Sequence, residues 1–202
     1  MTGINSKLKV AIIDYEAGNV QSIANLLSYL GVSNIITPDK REIKSADKII
    51  FPGQGHFKQA MKKLKSKDMI SFIQDLTVSN KEFLGICLGL QVLFEKSEEA
   101  PDVEGLKIFK GGVLKFKTGK TPQIGWAEIQ TTENNYLLDN EYFYFVNSYY
   151  VNPEDKNIIS SYGNYYIDYA ASVEHENICA VQFHPEKSST AGINFFKKWL
   201  LK

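Results

Sequence analysis

The first half of the chain alternates between two hydrophobic periods. Lys7–Ile13 (KLKVAII) is a short apolar run that predicts a buried strand. From Asn19 to Leu30, Val20, Ile23, Leu26, Leu27 and Leu30 recur at helical spacing, with Gly31 as the stop. Asn34–Thr37 predicts a strand ended by Pro38, and Lys48–Phe51 another ended by Pro52-Gly53. Helical patterns follow over Phe57–Leu64 and Met69–Val78. Glu82–Ile86 then predicts a strand and Leu88–Glu95 a helix. This β-α-β-α order predicts an α/β fold with a mostly parallel central sheet flanked by helices.

From Gly112 to Phe183 the pattern changes. Tyr, Phe, Val and Ile dominate, broken at Thr118-Gly119, Asn134-Asn135, Asn152-Pro153, Gly163-Asn164 and Glu176-Asn177. This predicts strands and hairpins, hence a β-rich C-terminal half. Ala191–Leu201 closes the chain as an amphipathic helix. With 202 residues, 44% of them hydrophobic, and no linker or repeat, a single domain over 1–202 is expected.

Charge narrows the function classes. Lys+Arg and Asp+Glu both number 23, so no basic face points to nucleic acid. No apolar run reaches the roughly 18 residues of a membrane span. The first residues, Met1–Lys7, carry no apolar signal core, and a cytoplasmic location is expected. The two cysteines, Cys87 and Cys179, form no CxxC pair and no His/Cys cluster, so neither a structural zinc nor any other metal is expected.

Cys87 stands in Gly85-Ile86-Cys87-Leu88-Gly89, between a predicted strand and a predicted helix. Glycines two positions to either side are the spacing of a nucleophile elbow, a sharp turn that lifts its central residue clear of the sheet. A helix N-terminus facing the sulfur favours thiolate, and the Leu88 amide is placed to meet an oxyanion. The same glycines also suit close packing around a small core residue, and the motif alone leaves both readings open. Cys179 lies inside the apolar run Ile178–Phe183 without flanking glycines and reads as core.

The chain has three histidines. His56 begins a helix after a glycine loop, and His175 lies between two glutamates near a turn. His184 ends a strand, where Pro185 keeps it extended. In an extended segment residues i and i+2 share a face, so Glu186 can reach the ring and fix its tautomer. Cys87, His184 and Glu186 together make a nucleophile, a base and an orienting acid.

These residues resemble the class I (triad) glutamine amidotransferases, whose fold is flavodoxin-like. More narrowly, the chain is similar to the glutaminase subunits of imidazole glycerol phosphate synthase. The resemblance runs from Val10 to the C-terminal helix. It is carried by Asp14-Tyr15-Glu16-Ala17-Gly18-Asn19, Phe51-Pro52-Gly53-Gln54-Gly55, the Cys87 motif through Gln91, Ile124-Gly125-Trp126, Ser148-Tyr149-Tyr150 and Gln182–Ser188.

The resemblance implies that Cys87 attacks the side-chain amide of L-glutamine. His184 then moves the proton to the leaving ammonia and Glu186 orients it, with no cofactor. It implies an oxyanion turn at Gly53, Gln54 and Gly55 beside Leu88, with a backbone amide that rotates when ligand binds the partner. Gln91, Glu99, Ser148 and Tyr149 match glutamine-contacting positions; Asn19, Trp126 and Lys187 match positions facing the partner. That partner is a (β/α)8-barrel cyclase in a 1:1 heterodimer. It receives ammonia through its interior and makes imidazole glycerol phosphate and an aminoimidazole carboxamide nucleotide in histidine biosynthesis.

Some positions depart from the family. Gln54 replaces a small apolar residue, Gln123 and Asn147 each replace a usual His, and Ala127 replaces a usual Asn. A second reading is therefore a paralogous subunit feeding ammonia to amination of a surface sugar. A third is a stand-alone cysteine hydrolase.

Overall fold

The computed structural model describes residues 7–133, 135 and 137–202. The expectations at Met1–Ser6 and at Asn134 lie outside the described residues. Among the described residues there are twelve strands: β1 (Lys9–Ile13), β2 (Ser33–Thr37), β3 (Lys48–Phe51), β4 (Glu82–Ile86), β5 (Phe94–Ser97), β6 (Phe109–Lys115), β7 (Gln123–Thr131), β8 (Tyr142–Asn147), β9 (Tyr149–Pro153), β10 (Ile159–Asn164), β11 (Asp168–His175) and β12 (Ile178–Val181). Six helices accompany them: α1 (Val20–Tyr29), α2 (Lys40–Ser45), α3 (Phe57–Ser66), α4 (Ile70–Thr77), α5 (Leu88–Gln91) and α6 (Ser189–Leu201). None of the described helices is long and apolar enough to cross a membrane.

The strand order is β2-β1-β3-β4-β12-β11-β10-β7-β8, and a second branch runs from β11 through β9 and β6 to β5. The pairs β2-β1, β1-β3, β3-β4 and β4-β12 are parallel; from β12 onward the path is antiparallel. The sheet is thus mixed: the first half of this path is parallel, the second half is antiparallel, and the branch adds one parallel pair, β5-β6. β1, β3 and β12 bury nearly every residue, as strands covered on both faces must. One core contains Phe57, Leu64, Phe72 and Leu76 of α3 and α4. The other contains Ile23 and Leu27 of α1 with Phe195, Phe196 and Trp199 of α6.

One local reading changes, and one helix, α2, has no reading from sequence. The helix expected over Leu88–Glu95 stops at Gln91, and Phe94–Ser97 becomes β5, pairing Phe94 with Phe109 and Ser97 with Val113. The run Leu88, Leu90, Val92, Leu93, Phe94 is buried throughout, so its periodicity could not separate helix from strand. Helix α2 lacks a strong apolar stripe and is set by its cap, Asp39, whose carboxylate accepts from the Arg41 and Glu42 amides at 2.7 and 3.3 Å.

Candidate active site

The site forms at the carboxyl ends of two neighbouring parallel strands. β4 ends at Ile86 and β12 at Val181, and those two residues are register partners. Cys87 and the His184 segment therefore leave the sheet side by side, the usual location of sites in open parallel sheets.

Cys87 has φ 55° and ψ −109°, a backbone conformation costly for any residue but glycine. The turn is held by the Cys87 N–H donating to the Val181 carbonyl at 2.7 Å. The glycines answer a shortage of space. A Cβ at Gly89 would collide with the Phe51 carbonyl oxygen. A Cβ at Gly85 would meet that of Ala180 at 3.0 Å. A Cβ at Gly53 would lie 2.7 Å from both the Gly89 nitrogen and the Tyr15 hydroxyl. Of the two readings the motif left open, the strained turn matches the elbow, and close packing is part of how it is built. The helix after Cys87 is only one turn, so its dipole is smaller than expected.

Backbone bonds fix His184. Its N–H donates to the Tyr144 carbonyl at 2.9 Å, and its carbonyl accepts from the Ser188 hydroxyl at 2.6 Å. The strand ends at Val181, two residues before the expected Phe183, because these cross-links replace ladder pairing. Glu186 reaches the ring from a 3-10 turn, Pro185–Lys187, and not along an extended segment. The Glu186 Oε1 lies 2.8 Å from His184 Nδ1, and both side chains are nearly inaccessible. The Cys87 sulfur lies near enough to the ring to act on its charge. Burial disfavours the imidazolium, but the bonds to Cys87 and Glu186 outweigh it and push the His184 pKa up to about 10.

Cys87 and His184 open into a cavity of about 290 Å³. Gln54, Gly55, Leu88, Gln91, Glu99, Ser148 and Tyr149 line it too. Gln91 is buried, donating to the Tyr149 carbonyl at 3.2 Å and to Gln182 Oε1 at 2.9 Å. Glu99 accepts the Phe57 N–H at 2.7 Å and pairs with His56 at 3.0 Å, which anchors it to the start of α3. Burial, followed by the charges of Glu99 and Glu98, raises the Tyr149 pKa and keeps its phenol a neutral donor.

The Leu88 N–H is occupied. It donates to the Gly53 carbonyl at 3.3 Å, so the Pro52–Gly55 turn takes the donor that the sequence reading offers to an oxyanion. Gln54 and Gly55 also wall a second cavity, of about 230 Å³, shared with Glu16–Gly18 and Lys63.

The three positions expected to face a partner lie apart from the cavity lining. Asn19 caps α1 through Ser22. Trp126 is 52% exposed on β7, edge-on to Tyr144, and half-buried Lys187 follows Glu186. Cys179 is fully buried, and burial raises its thiol pKa well above the ordinary value.

Two buried polar residues next to Cys87 had no assigned role from sequence. Gln182 donates to Cys87 Sγ at 3.6 Å, and the Tyr15 hydroxyl is buried with no hydrogen-bond partner among the described residues. A signal was available for Gln182, a polar residue within an otherwise apolar run.

Residues 11–202 match the family model described as glutamine amidotransferase class-I. The chain is 41% identical to imidazole glycerol phosphate synthase subunit HisH 1 of Methanococcus maripaludis, covering 95% of this chain and 98% of that protein. It is 40% identical to subunit HisH of Methanothermobacter thermautotrophicus (95% and 97% covered) and 42% identical to that of Trichodesmium erythraeum (96% and 94%). Among solved structures, one described as a glutamine amidotransferase superposes with a TM-score of 0.76 at 15% identity, over 95% of this chain and 97% of that one. PurLQS from Thermotoga maritima superposes with a TM-score of 0.73 at 17% identity, over 97% and 100%; these two likenesses speak to the fold. The chain belongs to the class-I glutamine amidotransferases, and it is an enzyme of that family.

Proposed function

We propose that this chain is the glutaminase subunit of an imidazole glycerol phosphate synthase, passing ammonia to a (β/α)8-barrel cyclase in a 1:1 heterodimer in the cytoplasm. The observation that carries its chemistry is His184 held between Cys87 and Glu186 at the wall of a substrate-sized cavity. The pathway rests on about 40% identity, over nearly the whole chain, to proteins named as that subunit.

In this reading glutamine enters with its head group held by Gln91, Glu99, Ser148 and Tyr149. The Cys87 sulfur attacks the side-chain carbonyl carbon, its proton having gone to His184. The tetrahedral intermediate collapses as His184 returns that proton to the leaving nitrogen, releasing ammonia and leaving a γ-glutamyl thioester. Water, deprotonated by His184, attacks the thioester and frees glutamate. Glu186 keeps the second ring nitrogen engaged, fixing orientation and stabilising the imidazolium.

The oxyanion needs the Leu88 N–H, which the Gly53 carbonyl now holds. Turning the Gly53–Gln54 peptide would free that donor and bring the Gln54 N–H alongside it. Gly55, at φ +105° with open space around it, suits a turn that must change its backbone angles. A missing oxyanion donor costs about 10²–10³ in rate, so the free subunit should idle. Asn19, Trp126 and Lys187 are the positions through which the partner would act.

The deciding experiment is glutamate release by this chain mixed with a histidine-pathway cyclase from the same source, with and without its nucleotide ligand. Strong ligand-dependent stimulation is expected. No stimulation by a cyclase proven active on free ammonia would shift the reading to a sugar-amination paralogue. That second reading has one observation in its favour. Gln123 and Asn147, both in place of a usual His, are buried cross-strand partners, so the two departures meet at one spot beside the cavity.

A further inference from the structure

Gln182 is fully buried, and all of its side-chain polar contacts lie inside the protein. Its backbone N–H donates to the Ala171 carbonyl at 2.8 Å, holding the residue just beyond β12. Its side-chain orientation follows from a chain of hydrogen bonds that starts at an unambiguous acceptor. The Tyr149 backbone carbonyl can only accept, so the end of Gln91 facing it at 3.2 Å must be the amino group. That amino group also lies 2.9 Å from one end of Gln182, which must then be the Gln182 oxygen. The opposite end, 3.6 Å from Cys87 Sγ, is therefore an N–H donor. A glutamine flipped the other way would set oxygen against a sulfur lone pair and two amino groups against each other.

We propose that Gln182 is a catalytic residue of this site: a buried amide donor to the Cys87 sulfur, locked in orientation by Gln91 and the Tyr149 carbonyl. The proposal rests on Cys87 being the nucleophile. His184 and Gln182 both act on the sulfur, so negative charge there has two donors, neither of them water. The bond strengthens with that charge, because hydrogen bonds to ionised acceptors are about twice as strong as neutral ones. It acts at two points. In the resting enzyme it favours the sulfur with its proton transferred to His184. In the second half-reaction water adds to the thioester carbonyl, the C–S bond breaks, and the electron pair returns to sulfur, where the Gln182 N–H meets it. Gln91 gives the contact a route to substrate, since it lines the same cavity.

The test is the pH dependence of Cys87 alkylation by iodoacetamide in the intact chain, read by peptide mass spectrometry with buried Cys179 as the internal reference. Gln182→Met keeps length and volume but removes the donor. Its alkylation midpoint should move up by about one to two pH units, the size expected for losing a hydrogen bond to a charged group. Gln182→Glu keeps the acceptor for Gln91 but sets a carboxylate against the sulfur, and should move the midpoint at least as far. If Gln182→Met fails to fold, Gln91→Met, which unlocks the Gln182 amide from one position away, should shift it in the same direction by less. An unmoved midpoint in folded variants overturns the proposal. Glutaminase activity that survives Cys87→Ala would instead overturn the nucleophile assignment on which it rests.

Discussion

The positive-φ backbone of Cys87 and the buried pair His184–Glu186 state what single residues must do. Replacing Glu186 with Gln removes the charge that helps hold the imidazolium. The His184 pKa should then fall from about 10 toward its ordinary 6.5, as read by ¹⁵N NMR of the ring. Glutamate release should fall with it by about two orders of magnitude or more, because the imidazole loses its fixed orientation. The same shift has a stability consequence with a definite sign. A histidine raised on folding stabilises the native state fully below about pH 6.5, and that contribution is lost as pH rises toward about 10. Urea midpoints for wild type should therefore decline over that window more steeply than those of Glu186→Gln. Equal slopes would show that Glu186 does not hold the proton on His184.

Among the elements, the elbow depends on three glycines for clearance. Gly89→Ala sets a methyl against the Phe51 carbonyl, and fixed backbone on both sides has no cheap retreat. A loss of about 1–3 kcal/mol or more is expected in urea unfolding, with glutaminase activity lost as the Cys87 turn is displaced. Gly112→Ala is the control, since its nearest neighbour is the flexible Lys96 side chain at 3.1 Å, and it should cost markedly less. Comparable costs at the two positions would mean the elbow has slack that its geometry denies. Element boundaries also mark how far periodicity can be read. α1, α3, α4 and α6 each expose one face, so their apolar spacing marked them. The stretch from Leu88 to Phe94 is apolar on every side, and only pairing with β6 makes its end a strand.

For the whole molecule, the exposed large side chains Ile124, Trp126 and Tyr142 lie together on the β7–β8 pair, which also supplies Asn147 to the cavity. If this hairpin receives the partner, Trp126→Ala should weaken association with the cyclase by about tenfold or more in calorimetry, since buried aromatics dominate such interfaces. It should leave the urea midpoint nearly unchanged, because the ring is half in solvent. Unaltered affinity would move the docking face elsewhere.

Local pattern along the chain already carries part of the chemistry. The alternation of strands and helices named the fold class. The Gly-x-Cys-x-Gly spacing and His184-Pro185-Glu186 marked the candidate triad, because a tight turn and a proline stop leave residue-level traces. Tertiary structure decided the rest. The antiparallel half of the sheet, the switch from α5 to β5, and the adjacency of Cys87 to His184 all depend on which strands pair across long stretches of chain. The occupied Leu88 amide and the Gln182 donor depend on the same thing. A backbone carbonyl from the end of β3 and a side chain from the end of β12 reach the elbow only because β3, β4 and β12 lie side by side. No local period records that neighbourhood.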